Sequence, residues 1–311
     1  MAETTTSPLA PLRVRVALPH HFRETPEGTG YGSGRSGARF SRCLALARCL
    51  HALVQLERSC TDQVLHIGDR CLDTTEPLRQ GDHPLPAIQL EIHLFTSGEN
   101  QLDEVVDLFR DRLELHRLDL EDPRQLPLAA RDFLIAATPS ADLSLYLEDD
   151  LVLSDPLFLD KQAWFLRGCG GKAVLMPHRH ELIPGGHGQR LLVDGPLREG
   201  FIRRFTQPQL DAGRGRFWDG QEIHFDRTAN PHSGLFCLNA AQTERLRQLK
   251  LPREGFVGPL ETAATFTVLP HFAVMKPSFA QRNFLWVEHG HPSFSHYSKK
   301  LPRRTSEESS G

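Results

Sequence analysis

Leu143-Ser144-Leu145-Tyr146-Leu147 is an apolar run that ends in three consecutive carboxylates, Glu148-Asp149-Asp150, and this stretch decides how the chain is read. A short run of apolar and aromatic residues predicts a buried strand. Acids at its carboxyl end fall at the sheet edge where open α/β proteins bind ligands. On a continued strand, side chains at i and i+2 share a face, which places Glu148 with Asp150 and turns Asp149 the other way. Carboxylates with no Lys or Arg beside them in sequence repel one another unless a hard divalent cation such as Mg²⁺ or Mn²⁺ accepts them. The plain alternative is a solvated strand end before a helix capped at Asp155-Pro156.

Working outward, Leu12 to Leu18 alternates polar and apolar residues and reads as the first strand, leaving through Pro19-His20-His21. A helix is predicted from Ala38 to Glu57, with Leu44, Ala47, Leu50 and Val54 along its apolar stripe. A strand follows from Ile88 to Phe95, then a turn at Thr96-Ser97-Gly98. An amphipathic helix from Asn100 to Arg112 turns Leu102, Val105, Val106 and Phe109 inward. Leu113 to Leu118 alternates as a strand, and a helix from Pro127 to Ala137 is stopped by Thr138-Pro139. This β-α-β-α-β-α-β order predicts an α/β fold, a Rossmann-like and mostly parallel central sheet flanked by helices, with a smaller second half.

Beyond Asp150 the pattern changes. Pro156 to Arg167 reads as a helix and Ala173 to Met176 as a short strand. The stretch to Asn230, rich in Gly, Pro, His and Arg, reads as functional loops or lids. Ser233 to Asn239 is expected as a strand, with helices from Ala240 to Leu249 and from Leu260 to Leu269. The Gly-rich segment Gly28 to Gly37 matches neither phosphate-binding glycine pattern and reads as a flexible loop. Residues 1–11 and 299–311 are expected to be loose tails, with 12–150 and 151–298 as two halves of one domain.

The chain has 311 residues and a net charge of -3, which gives no overall attraction to nucleic acid or an anionic membrane. Its six cysteines show no CxxC pair or zinc-like spacing and read as reduced thiols. No signal peptide or long apolar segment is apparent. A soluble, cytoplasmic protein without a transmembrane segment and without a nucleic-acid partner is expected. Peripheral membrane association through a small apolar patch stays open.

Taken together, the N-terminal α/β half, Glu148-Asp149-Asp150, Ser233-Gly234-Leu235-Phe236, Gly258-Pro259-Leu260-Glu261-Thr262-Ala263 and Glu288-His289-Gly290-His291 resemble a glycosyltransferase of the GT-A fold, over most of residues 12 to 297. The resemblance implies a metal-dependent transfer of a sugar from a nucleotide-diphospho-sugar donor to a glycan or small-molecule hydroxyl acceptor, with Mn²⁺ or Mg²⁺ as cofactor. Residues 12–150 would then bind the nucleotide sugar and 151–298 the acceptor. It makes Asp150 the direct metal ligand and Glu148 a metal or ribose contact, with Asp149 intermediate in the donor site. The leading Glu departs from the Asp-x-Asp pattern and leaves that division of roles open. His289 and His291 become candidates for a C-terminal metal ligand. Pro19 and His20 lie where such enzymes grip the base. Arg131 is read as a donor contact, or as the partner of Asp132, with Arg124 as its rival. Glu261 is the candidate catalytic base, or merely a carboxylate in a first helical turn. Trp218, with His232, Ser233 and Gly234, is assigned to the acceptor side, against the ordinary fate of an aromatic as core.

Two other readings compete. In a metal-dependent hydrolase or phosphatase, the acidic triplet would join His178, His180, His289 and His291 in a two-metal centre. In a non-catalytic nucleotide-sugar binding module, the fold would persist without the chemistry.

Overall fold

A computed structural model describes residues 10–24 and 34–303, so Gly28 to Ser33 and the outer parts of both expected tails lie outside the described residues. Its centre is a five-stranded sheet in the order Leu235–Asn239, Leu143–Leu147, Leu12–Pro19, Ile88–Ser97, Glu114–Leu118. The last four run parallel, with Val14 opposite Leu143 and Val16 opposite Ile92, whereas Leu235–Asn239 runs antiparallel to Leu143–Leu147. The fold is therefore α/β with a mostly parallel central sheet, as the alternating pattern predicts.

Both faces of the sheet are covered, which is why its central strands read as apolar runs rather than alternations. Val14, Val16, Leu18, Leu145 and Leu147 pack with Leu46, Cys49, Leu50 and Leu53 of the helix Arg39–Val54. Ala17, Phe95, Tyr146 and Phe236 pack on the other side with Leu128, Leu134 and Ile135 of the helix Leu126–Ala136. Each such buried side chain contributes roughly 1.5–3 kcal/mol of transfer free energy, which fixes the register of the acid-bearing strand.

Several expectations are corrected. The buried stripe of the first helix is Arg42, Ala45, Leu46, Cys49, Leu50 and Leu53; of the predicted stripe Leu50 is buried, Ala47 and Val54 pack against the core partly buried, and Leu44 is exposed. The Asn100–Arg112 helix is shorter, an α-helix over Asp103–Leu108 followed by a 3₁₀ turn at Arg110–Arg112. The predicted Leu260–Leu269 helix is a single turn, Pro259–Glu261, that widens into π-helical Thr262–Phe266, with Thr267 N bonding Thr262 O at 3.1 Å.

The stretch expected as loops carries most of two further sheets. One is ordered Ala173–Leu175, Ala273–Pro277, Glu222–Arg227, Gln209–Arg216, the other Arg190–Leu192, His178–Leu182, Trp286–His289, Leu151–Val152. In His178–Leu182 the buried positions carry His178, Arg179, His180 and Glu181, and Gln209–Arg216 has no buried position, so neither shows a hydrophobic alternation; Glu222–Arg227 does alternate, through the buried Ile223 and Phe225. The hairpin Gln63–His66 with Cys71–Thr74 also escaped, because every one of its residues is exposed and burial imposes no period on it. Leu235–Asn239 comes from the second expected half yet forms an edge of the central sheet, so a division at residue 150 does not separate the sheets. All six cysteines are free thiols. Among the described residues no helix is long and apolar enough to cross a membrane.

Candidate active site

The acid-bearing strand stops at Leu147, and Glu148 to Asp150 turn back, with Glu148 N donating to Gly234 O at 2.9 Å and Leu151 N to Glu148 O at 3.3 Å. Strand alternation therefore does not sort the three acids, and Asp149 and Asp150 share one partner. That partner is Arg42, whose Nη2 donates to both oxygens of Asp149 at 2.9 and 2.8 Å and whose Nη1 reaches Asp150 at 3.3 Å. The expectation that the acids lack a cationic neighbour is corrected by a residue about a hundred positions earlier. Its signal is a charge in line with the buried face of the first helix, four residues before Leu46.

His20 stands on the other side of Asp149. It is fully buried, its Nδ1 is 2.6 Å from Asp149 Oδ2, and its Nε2 accepts from Leu102 N at 3.2 Å. An accepting Nε2 carries no proton, so the ring's proton sits on Nδ1 and points at Asp149. Burial alone would raise the Asp149 carboxyl, but Arg42 and His20 hold it well below the usual carboxylate range. His20 N also donates to Phe95 O at 2.8 Å, and Pro19 lies opposite Phe95 in the sheet, so both sit at the same edge as the triplet.

Asp150 faces the C-terminal strand Trp286–His289. His289 Nε2 is 3.5 Å from Asp150 Oδ2, and its Nδ1 is 2.7 Å from Glu181 Oε1. Glu181 is itself fixed by backbone N–H groups of Ser293 and Phe294 at 2.8 and 2.9 Å. Gly290 N donates to Asp150 O at 2.6 Å, and a Cβ there would crowd that oxygen at 3.0 Å, so the close approach favours glycine. Burial opposes charging of His289, yet its bonds to Asp150 and Glu181 raise it to about 9. Burial likewise opposes ionisation of Asp150, and the bond to His289 lowers it in return. The half-buried His291 is lowered, by burial first and then by the Arg42 charge, and it feels both Asp150 and Asp149.

The donor set here fits a divalent cation in part. Asp150 Oδ2 and His289 Nε2 are near enough to share one ion, and the Glu181 carboxylate behind Nδ1 is the arrangement that orients a ligating imidazole. Binding would displace the proton from His289. Among the described residues no third His, Cys, Asp or Glu ligand atom joins this pair within 4.8 Å. Hard cations such as Mg²⁺ commonly take one or two side chains and fill the remaining positions with water and a ligand's phosphate oxygens.

Glu148 is turned away from Arg42. Its carboxyl lies against Gly234, where an added Cβ would come within 2.6 Å of Oε2 and where φ is +68°. Glu148 Oε1 is buried with no hydrogen-bond partner, and so are Glu261 Oε2 and the Tyr146 hydroxyl. Burial pushes the Glu148 carboxyl up to about 8, with Arg179 opposing the rise and the Asp150 and Glu261 charges adding to it. Burial first, then the Glu148 charge, also raises the Tyr146 hydroxyl.

Behind Glu148 lies a satisfied network. Arg179 donates to Asp194 Oδ1 from Nε and Nη2 at 3.0 and 2.9 Å, and Lys276 Nζ reaches Asp194 Oδ2 at 3.1 Å and His232 O at 2.9 Å. His232 Nδ1 is 2.8 Å from Thr265 Oγ1, and Ser233 Oγ donates to Pro177 O at 2.7 Å. His232, Ser233 and Gly234 thus come to the acid edge, although the Ser233 hydroxyl is occupied by backbone.

Other predicted residues go elsewhere. Arg131 is enclosed and committed to Asp132 Oδ1 at 2.8 Å, Pro252 O at 2.7 Å and Thr267 Oγ1 at 3.2 Å, so the ion-pair alternative describes it and the donor contact does not. Arg124 pairs with Asp122 on the surface. The Trp218 ring stacks on His83 at 3.9 Å and on Phe217 at 5.1 Å, the packing of a partly buried core aromatic. His178 bonds Pro277 O and His180 packs on Trp286, so the four-histidine, two-metal centre does not assemble.

No family model matches the chain, and no curated protein matches its sequence. Among solved structures it is similar to S. aureus TarS, with 12% identity over 85% of this chain and a TM-score of 0.41. It is also similar to GalNAc-T7, solved with UDP, GalNAc and Mn²⁺, with 13% identity over 89% of this chain and a TM-score of 0.43. A third is glucosyl-3-phosphoglycerate synthase from Mycobacterium tuberculosis, solved with Mn²⁺, UDP-glucose and phosphoglyceric acid, with 13% identity over 85% of this chain and a TM-score of 0.37. The chain spans 35%, 44% and 68% of these three proteins respectively.

Proposed function

We propose that the chain is a nucleotide-sugar-dependent glycosyltransferase of the GT-A type that moves a sugar from a nucleoside-diphosphate donor to a hydroxyl of a glycan or small molecule. One observation carries this reading. At the carboxyl end of a mostly parallel sheet, the oriented Asp150–His289 pair stands beside the buried Glu148 and the partly buried Glu261, each with one buried, unpartnered oxygen.

In this reading Asp150 and His289 hold Mn²⁺ or Mg²⁺, with His291 next to them. When bound, the ion neutralises the negative charge that develops on a departing diphosphate. Asp149, locked by His20 and Arg42, positions Asp150 and the loop rather than touching the ligand. Glu148 offers its free oxygen to a ribose or sugar hydroxyl, held at that depth by the bare backbone of Gly234. Glu261 Oε2 accepts the proton of the acceptor hydroxyl, the role of the base in an inverting transfer. His232 to Gly234 line the acceptor side. Residues 12–150 supply the donor half and 151–298 the acceptor half of a cytoplasmic enzyme.

The test is thermal unfolding of the full chain with UDP, GDP, CDP and TDP, each with and without Mn²⁺, followed by release of nucleoside diphosphate from the matching sugar nucleotide. Stabilisation by one nucleotide only when Mn²⁺ is present, lost in Asp150→Asn, is the expected result. No response to any pair overturns it. A second reading, the non-catalytic binding module, draws on Arg42, which already neutralises the acid pair as a bound cation would. Nucleotide binding that ignores metal and survives Asp150→Asn would favour that module.

A further inference from the structure

We propose that His93, Glu114 and His116 form a second divalent-cation site, of the kind that takes Zn²⁺, which ties the edge strand of the central sheet to its neighbour. His93 lies in the middle of the strand Ile88–Ser97, directly opposite Glu114, the first residue of the edge strand Glu114–Leu118. His116 follows two residues later, and side chains two apart on a strand share a face. The three side chains thus meet on one face, in the body of the sheet and not at the carboxyl end where Asp150 stands.

Their ligand atoms are already gathered. His93 Nδ1 is 3.0 Å from His116 Nε2 and 3.4 Å from Glu114 Oε2, and His116 Nε2 is 3.4 Å from Glu114 Oε1. Among the described residues this is the only group of three His, Cys, Asp or Glu whose ligand atoms lie within 4.8 Å of one another. Ligands at about 2.0–2.1 Å from a tetrahedral zinc are themselves roughly 3.3 Å apart. Two imidazoles with one carboxylate are a ligand set that suits zinc rather than Mg²⁺, and three protein ligands leave one position to water.

A single proton makes one ring-to-ring hydrogen bond across this triangle and leaves the Glu114 carboxylate without a donor from either ring. If both facing nitrogens carry hydrogens, two N–H groups point at each other across the 3.0 Å contact. With only one protonated, a carboxylate oxygen faces the bare lone pair of the other ring. A cation at the centre removes the conflict, because all three atoms then act as acceptors toward it.

The surroundings hold the rings in place. His116 stacks on Phe95 at 4.5 Å, and Phe133 of the helix Leu126–Ala136 packs against His93 at 4.6 Å and His116 at 5.1 Å. Glu114 is exposed and His116 only partly covered, which gives an ion access from solvent.

The experiment is titration of the chelator-treated full chain with Zn²⁺, read by equilibrium dialysis and by thermal midpoint, and with Co²⁺, read by its visible absorption. The wild-type chain is expected to bind one ion that survives Asp150→Asn. Glu114→Gln and His116→Gln, both on accessible side chains, should each weaken it at least about tenfold while leaving the zinc-free thermal midpoint in place. Absence of zinc binding by the wild type, unchanged affinity in both variants, or binding lost in Asp150→Asn yet kept in His116→Gln would each overturn the proposal. The nucleotide response of the Asp150 edge is read separately, so failure of one site is not mistaken for failure of the other.

Discussion

Asp194 and Glu148 are both buried carboxylates, 3% and 6% exposed, and they have opposite fates. Burial opposes ionisation of each. For Asp194 the charges of Arg179 and Lys276 outweigh it and hold the carboxyl well below its usual range. Glu148 has no bonded cation, its Oε1 has no partner, and it rises to about 8. The cost of burying a charge is thus offset by the fold in one place and left standing a few side chains away. A packed structure satisfies the groups that hold it together, and the unsatisfied ones at a sheet's carboxyl edge are where a ligand supplies the missing partner.

The largest effect should come from breaking the satisfied side. Asp194→Ala leaves Arg179 and Lys276 buried without their counter-charge, and urea denaturation should register a loss of about 3–5 kcal/mol. A loss below about 1 kcal/mol would mean that the two cations find other partners and that the contrast with Glu148 is overdrawn.

The two carboxylates should also respond to pH with opposite sign, measured in chelator-treated buffer. Asp194 has its folded value below the unfolded one. Its contribution is therefore complete above the unfolded carboxylate range and is lost as pH falls from about 5 downward. Glu148 has its folded value above the unfolded one. The fold then binds the proton more tightly, and stability falls as pH rises from the usual carboxylate range towards about 8. One such group sets a slope of up to about 1.4 kcal/mol per pH unit. Glu148→Gln should flatten that neutral-range slope, and a slope unchanged in this variant would assign it to another group.

Gly234→Ala tests the wall of the unsatisfied pocket. The residue has φ of +68°, and its new Cβ would meet the Glu148 carboxyl. Strain at positive φ costs of order 1–3 kcal/mol, and a thermal midpoint equal to the wild type would show that Glu148 can swing aside without penalty.

How much of this was legible follows the same division. The central sheet announced itself because burial on both faces forces long apolar runs, as in Leu143–Leu147. The acid edge was legible for the same reason, whereas His289 entered only through the resemblance carried by Glu288-His289-Gly290-His291. Arg42 was not legible, because an Arg in the first turn of an amphipathic helix is ordinarily solvated and only the tertiary contact with Asp149 and Asp150 buries it. Arg131 misled in the opposite way, since nothing in the sequence distinguishes a buried Arg that bonds Asp132 and Pro252 from one that awaits a phosphate. The strand His178–Leu182 was hidden by polar residues on buried positions, Arg179 and Glu181 among them, whose partners are dictated by tertiary structure.

The smallest expected effect is the sharpest for the comparison. The Tyr146 hydroxyl is fully buried, unpartnered and close enough to Glu148 to feel its charge, while its ring stacks on Phe236 at 5.4 Å. Tyr146→Phe keeps the ring and removes an unsatisfied polar atom, which ordinarily costs about 1–3 kcal/mol when buried without a partner. Stability should therefore hold or rise by up to about 1 kcal/mol, in contrast with the loss at Asp194. If the free hydroxyl belongs to the ligand's complement of donors, the same variant should lose part of its Mn²⁺-dependent response to nucleotide while gaining stability without it. A variant that instead loses stability would show that the hydroxyl has a partner such as a buried water, and Tyr146 would then move to the satisfied side of the divide.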